Sequence, residues 1–216
     1  MRVVIAGGHG QIALRLTKLL SGQGDEVVGL VRNPAHEADV AAAGGRCVVL
    51  DLEQADAAAV TEALSGADAA VFAAGAGPGS GAARKETVDR GAAVLFAEAC
   101  ESAGVRRHLQ VSAMGLQRAG EPGMEPVFAA YLSAKAAAED DLRARDLDWT
   151  ILRPGGLTNE PGRGLVRLAE SVPRESVSRE DVAAVIAALL PAGAAVRRTL
   201  ELVEGDIPIA DAVRAL

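Results

Sequence analysis

Residues 3–13, VVIAGGHGQIA, constrain this chain more than any other stretch. Three apolar β-formers run into a glycine-rich turn, and an apolar-periodic stretch, Ile12-Ala13-Leu14-Arg15-Leu16-Thr17-Lys18-Leu19-Leu20, follows. A strand, a tight turn and a helix start form the context in which a glycine string becomes a nucleotide site. Gly7 lets the chain turn where φ can be positive. Gly10 has no side chain to hold a pyrophosphate off the backbone, and Ala13 lets helix and strand pack closely. The N–H groups around Gly10, Gln11 and Ile12 lie at the positive end of the helix dipole, which suits an anion. His9 rides in the same turn and so counts among the cofactor-facing positions, although its ring, like that of His108, reads as structural. The spacing is G-x-x-G-x-x-A, and the plainer alternative is a structural glycine turn.

Strands and helices alternate from there. Residues 26–32, 46–51, 69–74, 106–112 and 149–153 are further apolar strands, and residues 55–64, 84–103 and 127–145 read as helices. A short helix runs to Gly44-Gly45, and loops are expected over 75–81 and 113–126. Continuous apolar strands separated by helices mean a parallel sheet covered on both faces. Right-handed crossovers then give an α/β, doubly wound parallel sheet, a Rossmann fold with strand order 3-2-1-4-5-6. Residues 155–177 are less regular and read as a small substrate lid. Ser178-Arg179-Glu180-Asp181 reads as an N-cap with an acidic first turn. A short strand at 199–203 and a helix at 207–216 close a single domain of 216 residues.

Bulk properties narrow the function. The net charge is −7, from 22 basic and 29 acidic residues, so nucleic acid is a disfavoured partner. Five aromatics (one Trp, one Tyr, three Phe) leave almost no stacking platform for single strands. Cys47 and Cys100 read as buried, inert thiols, and neither they nor the three histidines have a metal-like spacing. Gly7, Gly8 and Gly10 interrupt the N-terminal apolar stretch early, so no signal peptide is expected. The apolar run 182–192 is broken by Pro191 and is too short to span a bilayer. A cytoplasmic protein, monomer or homodimer, with a small-molecule partner is expected.

Several positions could carry chemistry. In a Rossmann unit an acid ending the second strand favours NAD, and a base favours the 2′-phosphate of NADP. Residues 27–33 contain no acid, and Arg32 lies 22 residues after Gly10, so NADP(H) is favoured with NAD(H) possible. The alternative is a solvated surface arginine. Asp51-Leu52 ends the third strand and should lie beside the adenine. Ala73-Ala74-Gly75 ends the fourth and is small enough for a cofactor to cross the carboxyl edge. Ordinary loop chemistry would explain either.

The rare residues are the most informative. The only tyrosine, Tyr131, lies four positions before Lys135, one of three lysines with Lys18 and Lys85. On a helix, positions i and i+4 share a face. A free phenol has a pKa near 10 and serves poorly at neutral pH, and an ammonium one turn away is expected to lower it. The same ammonium could hold a ribose hydroxyl. Ser112 ends the fifth strand, where a hydroxyl could bond a substrate carbonyl. The alternatives are a packed core ring for Tyr131 and a cap or turn for Ser112. Trp149 opens a buried strand and reads as core.

With these residues in view, the chain resembles the short-chain dehydrogenase/reductase superfamily. It is most similar to the atypical, short NAD(P)-binding branch often labelled epimerase/dehydratase. The resemblance covers nearly the whole chain and rests on GGHGQIA, Asp51-Leu52, VFAAG, VSAMG, YLSAK and LRPGGLT. It implies that Tyr131 and Lys135 are the Y-x-x-x-K pair and that Ser112 is the upstream serine. The main families complete a tetrad with an asparagine. The matching stretch here, ETVDRGA, offers Asp89, a substitution for which the branch is known. Arg153-Pro154-Gly155 resembles the segment passing the nicotinamide, which adds Pro154 to the cofactor residues. Family members bind substrate with the C-terminal third, and about 60 residues follow the sixth strand here. A small carbonyl compound therefore fits better than a nucleotide-sugar.

The expected activity is an NADP(H)-dependent reduction of a small carbonyl compound, with Tyr131 as general acid. The alternatives are a non-catalytic NADP(H) sensor and a flavin- or tetrapyrrole-type NADPH reductase that works without Tyr131. An epimerase is the least favoured.

Overall fold

The apolar runs pair side by side because their backbone groups have no other partners once water is excluded. The structure is a computed structural model describing residues 1–77 and 79–216. Pro78, inside the loop expected over 75–81, lies outside the described residues. In chain order the elements are β1 (Arg2–Ala6), α1 (Gln11–Gly22), β2 (Glu26–Val31), α2 (Glu37–Ala42), β3 (Arg46–Val49), α3 (Ala57–Leu64) and β4 (Ala69–Phe72). One long helix follows in three parts: α4 (Ala82–Arg84), a π-helical segment (Lys85–Ala92) and α5 (Ala93–Ala103). Then come β5 (Arg107–Val111), α6 (Pro126–Ala144), β6 (Asp148–Pro154), β7 (Gly156–Thr158), β8 (Leu165–Ala169) and β9 (Ser176–Ser178). The chain closes with α7 (Arg179–Leu189), β10 (Arg198–Glu204), β11 (Ile207–Pro208) and α8 (Ile209–Arg214).

The main sheet has the order β11-β8-β10-β6-β5-β4-β1-β2-β3. Strands β3-β2-β1-β4-β5-β6 are all parallel, which is the expected doubly wound order. Strand β10 adds parallel to β6, and β8 and β11 extend that edge antiparallel. Side chains alternate across β1: Val3 and Ile5 join one core layer, Val4 and Ala6 the other. The first layer packs Leu16 and Leu20 of α1 against Val182, Val185 and Ile186 of α7. The second packs Val60 and Leu64 of α3 with Phe96 of α5 and Leu142 of α6, and Trp149 belongs to it.

The helix starts follow side-chain chemistry. Asp56 accepts from Ala59 N at 2.8 Å to open α3, and Ser178 accepts from Asp181 N at 2.9 Å to open α7. Glu125 accepts from Val127 N and Phe128 N, with Pro126 next, to open α6.

Residues 155–177, expected as an irregular lid, instead contain β7 and β8 and begin β9. Strand β8 alternates buried and half-buried positions, and its turn is held by Asp181, which accepts from Arg163 N (3.0 Å) and Gly164 N (2.8 Å). Gly155 permits this folding-back: a Cβ there would lie 2.0 Å from the Glu175 carbonyl oxygen. The helix expected over 207–216 begins at Ile209, because Ile207 and Pro208 pair with β8. Cys100 is buried, and burial pushes its thiol up to about 12. Cys47, expected to be buried, is only half-buried on the edge strand β3.

Candidate functional site

The turn after β1 is built as a phosphate cradle. Gly7 has φ +77°, and a Cβ there would meet Ala74 Cα at 2.7 Å. Gly8 N–H donates to Leu30 O at 2.9 Å, which fixes the turn against β2. Gly10 N–H donates to Gly7 O at 2.7 Å, so this group, expected to be free for an anion, is used inside the turn. The opening donors are therefore those of Gln11 and Ile12, the first residues of α1. Gly10 caps α1 with extended backbone, no side chain caps it, and its first turn holds no acid. The positive helix end is left for a ligand.

A cavity of about 280 Å³ lies along the carboxyl edge from this turn. Nine of the expected cofactor residues line it: Gly7, His9, Gly10, Arg32, Asp51, Leu52, Ala73, Ala74 and Gly75. Gln11, Ile12, Lys135 and Pro154 do not. The His9 ring has two kinds of surroundings. It lines the cavity, and it is also held structurally, with Nε2 2.7 Å from Asp39 Oδ2 and the ring stacked on His36 at 3.6 Å.

Three polar lining residues were not legible in sequence: His36, Glu53 and Arg84. Glu53 accepts from Arg84 at 2.5 Å and from Thr87 at 2.7 Å, and Arg32 stands 3.7 Å away. The Arg84 hydrogen bond holds the Glu53 carboxyl below the usual carboxylate range, with Thr87 and the charges of Arg84 and Arg32 adding. An acid thus reaches the end of β2 from the loop after β3. Asp51 uses a side-chain oxygen to accept from Glu53 N at 3.0 Å, so it also shapes that loop.

Beyond Gly75 lies a second cluster. A Cβ on Gly75 would come within 3.2 Å of Asp89 Oδ1, and Asp89 Oδ2 accepts from Ala76 N at 3.3 Å. Lys135 Nζ lies 3.4 Å from Asp89 Oδ1 and donates to Val111 O at 3.3 Å. Val111 precedes Ser112, whose N–H donates to Leu152 O at 2.7 Å. Met114 N–H donates to Pro154 O, which puts the end of β6 beside the loop that follows Ser112. The structure therefore brings Ser112, Lys135 and Asp89 together at the carboxyl edge, with Tyr131 one turn before Lys135 on α6. Among the described residues, Ser112 Oγ is buried without a hydrogen-bond partner, whereas Asp89 Oδ1 faces the Lys135 ammonium. Such an orphan hydroxyl is what a polar ligand would satisfy.

The electrostatics differ from expectation. Lys135 was expected to lower the Tyr131 pKa, yet its ammonium is paired with Asp89. Burial first, and then the Asp89 charge, push the phenol up to about 12. Burial lowers the Lys135 ammonium, partly offset by Asp89. Sharing a helix face does not decide a partner when a neighbouring helix offers a buried carboxylate. His108 is a buried core ring, Sγ of Cys100 lying 3.5 Å from its Nδ1. Among the described residues, no group of His, Cys, Asp and Glu is arranged to hold a metal, and no helix is long and apolar enough to cross a membrane.

The residues present fit a dinucleotide: an uncapped helix start, a glycine cradle that a Cβ would fill, and a buried hydroxyl without a partner. Comparison with known proteins agrees. A family model described as NAD(P)H-binding matches residues 7–192. A Bacillus subtilis protein named as an uncharacterized sugar epimerase, YhfK, is 37% identical over 217 residues, covering 100% of both chains. A solved Bacillus halodurans protein, classed with the NAD-dependent epimerases/dehydratases, is 35% identical with a TM-score of 0.92 over 100% of both chains. A Veillonella parvula short-chain dehydrogenase/reductase solved in complex with NADP shares the fold at 22% identity, with a TM-score of 0.74 over 94% of each chain. The chain belongs to the NAD(P)H-binding family and has its Rossmann fold.

Proposed function

We propose that this protein is an NADP(H)-dependent oxidoreductase that reduces a small carbonyl compound, with Tyr131 as general acid. The observation that carries it is the cluster of Tyr131, Lys135, Asp89 and the unpartnered Ser112 hydroxyl just past the cofactor cavity. When bound, the reduced nicotinamide supplies a hydride for a carbonyl carbon. Ser112 Oγ–H is available to hold the carbonyl oxygen. Tyr131, kept as a neutral phenol by burial and by Asp89, has a proton to give to that oxygen. The same shift keeps the proton in place at neutral pH but makes the phenol a weaker acid. Lys135 and Asp89 hold each other and keep a charged pair at the sheet edge, where a ribose hydroxyl could meet the ammonium.

NADP is favoured over NAD because Arg32 and Arg84 both line the cavity and are tied only to a carboxylate that a ligand phosphate could replace. The fold neighbour solved with NADP is consistent with this preference. A sugar-nucleotide epimerase fits less well. Residues after β6 build β7 to β11, α7 and α8 into the same fold, with no separate substrate domain among the described residues.

Tyr131→Phe tests the proposal. NADPH oxidation with a panel of small ketones and quinones should fall about 10²- to 10⁴-fold, while calorimetric affinity for NADPH stays unchanged. Undiminished turnover in this variant would contradict the general-acid role and favour a reductase in which the cofactor acts without it.

A further inference from the structure

Two of the three lysines in the chain, Lys85 and Lys135, converge on one carboxylate and one phenol. Lys135 is already committed. Its ammonium faces Asp89 at 3.4 Å, donates to Val111 O and stands 5.7 Å from the Phe72 ring. A cation answered by a buried carboxylate exerts little net field on a third group. Lys85 is nearly as buried, at 9% exposure, and has no salt bridge among the described residues. Its Nζ donates to Gly77 O at 2.9 Å and stands 5.5 Å from the centre of the Tyr131 ring.

We propose that Lys85 is the positioning residue whose charge serves Tyr131, the part that the Y-x-x-x-K spacing assigns to Lys135. The inference rests on the general-acid reading of Tyr131. Once the phenol has given its proton to the carbonyl oxygen, it is a phenolate in a site that already holds Asp89. A cation over the ring stabilises that anion, and water returns the proton after product leaves. The charged groups around the phenol support this assignment. Asp89 and Lys85 face it from the π-helical segment, and Lys135 shares its helix. Glu139, one turn beyond Lys135, is taken by Arg143 and Arg153. Arg84 is tied to Glu53, and Arg118, on the 3-10 turn Leu116–Gly120 packed against α6, is tied to Glu121. Among the described residues, Lys85 is the one cation near Tyr131 that no carboxylate answers.

Tyr131 is the sole tyrosine, so difluorotyrosine supplied during expression enters at one position. Its more acidic phenol titrates where the fold survives, and phenolate absorbance reads the midpoint without any turnover assay. Lys85→Met should raise that midpoint by about one pH unit, tenfold in proton affinity. Lys85→Arg, which keeps the charge, should return it close to the unsubstituted value. Lys85→Gln replaces the methionine variant if that one does not fold, and NADP binding checks the fold of each. An unchanged midpoint in the neutral variant, or an equal rise in the arginine variant, overturns the proposal. A midpoint shift together with full turnover in Tyr131→Phe would sustain the charge pairing and overturn the general-acid reading, so the two failures are separable.

Discussion

The two ends of the site hold their charges in opposite ways. Where β2 and β3 end, Arg32, Arg84 and Glu53 meet on an open cavity, and the Arg32 side chain is 55% exposed. At the α6 end, Lys135 and Asp89 face each other at 5% and 1% exposure. An exposed ion pair contributes little to stability and can trade one anion for another. A buried pair is different, because removing one partner strands the other in a low dielectric. On the proposed function, the first end exchanges a carboxylate for a ligand phosphate, and the second keeps fixed charges where a proton moves.

The sharpest way to break this contrast is at the turn that opens the first end. Gly7→Val forces a β-branched residue into φ +77° and drives its Cβ toward Ala74 Cα. NADP binding measured by calorimetry should fall at least about 100-fold, with about 1–3 kcal/mol of backbone strain added. Tyr131→Phe, at the other end, should leave that affinity alone. Next in size is a matched pair of carboxylate truncations. Asp89→Ala should destabilise the fold by about 3 kcal/mol in denaturant unfolding, since it strands a buried lysine. Glu53→Ala should cost about 1 kcal/mol or less, because Arg32 and Arg84 can turn to water. Equal losses would erase the distinction between the two ends.

A further expected effect concerns β5, the strand that leads to Ser112. Burial, helped by the charges of Arg107 and Arg145, pushes the His108 imidazole down to about 3. A free imidazole titrates near about 6.5, so between those values the unfolded chain binds a proton that the native state does not. Stability therefore falls as pH drops through that window, by up to about 1.4 kcal/mol per pH unit. His108→Met should flatten the slope in unfolding curves taken near about pH 6 and about pH 4. A slope unchanged by the substitution would place the acid sensitivity elsewhere.

The cradle and the sheet order were legible because they are local. VVIAGGHGQIA carries its own strand, turn and helix, and continuous apolar strands imply the doubly wound order. The Y-x-x-x-K spacing placed Tyr131 and Lys135 on one helix. Three features were not legible. Strand β8 is five residues with Arg167 at its centre and Gly162, Gly164 and Pro173 around it, so its pairing comes from β10 rather than from propensity. Glu53, Arg84 and His36 reach the cavity from a loop, a helix and a 3-10 turn whose convergence needs the fold itself. The π-helical segment buries Lys85 and Asp89 together, and no residue pattern announced it. Which charge answers Lys135 was therefore settled between helices, beyond what spacing within one helix can tell.

The most direct test is a calorimetric titration of the unsubstituted protein with each reduced pyridine nucleotide. One molecule of NADPH should bind per chain, more tightly than NADH. No heat with either nucleotide, in a folded sample, would contradict a dinucleotide lying from the Gly7 turn to the Tyr131 phenol.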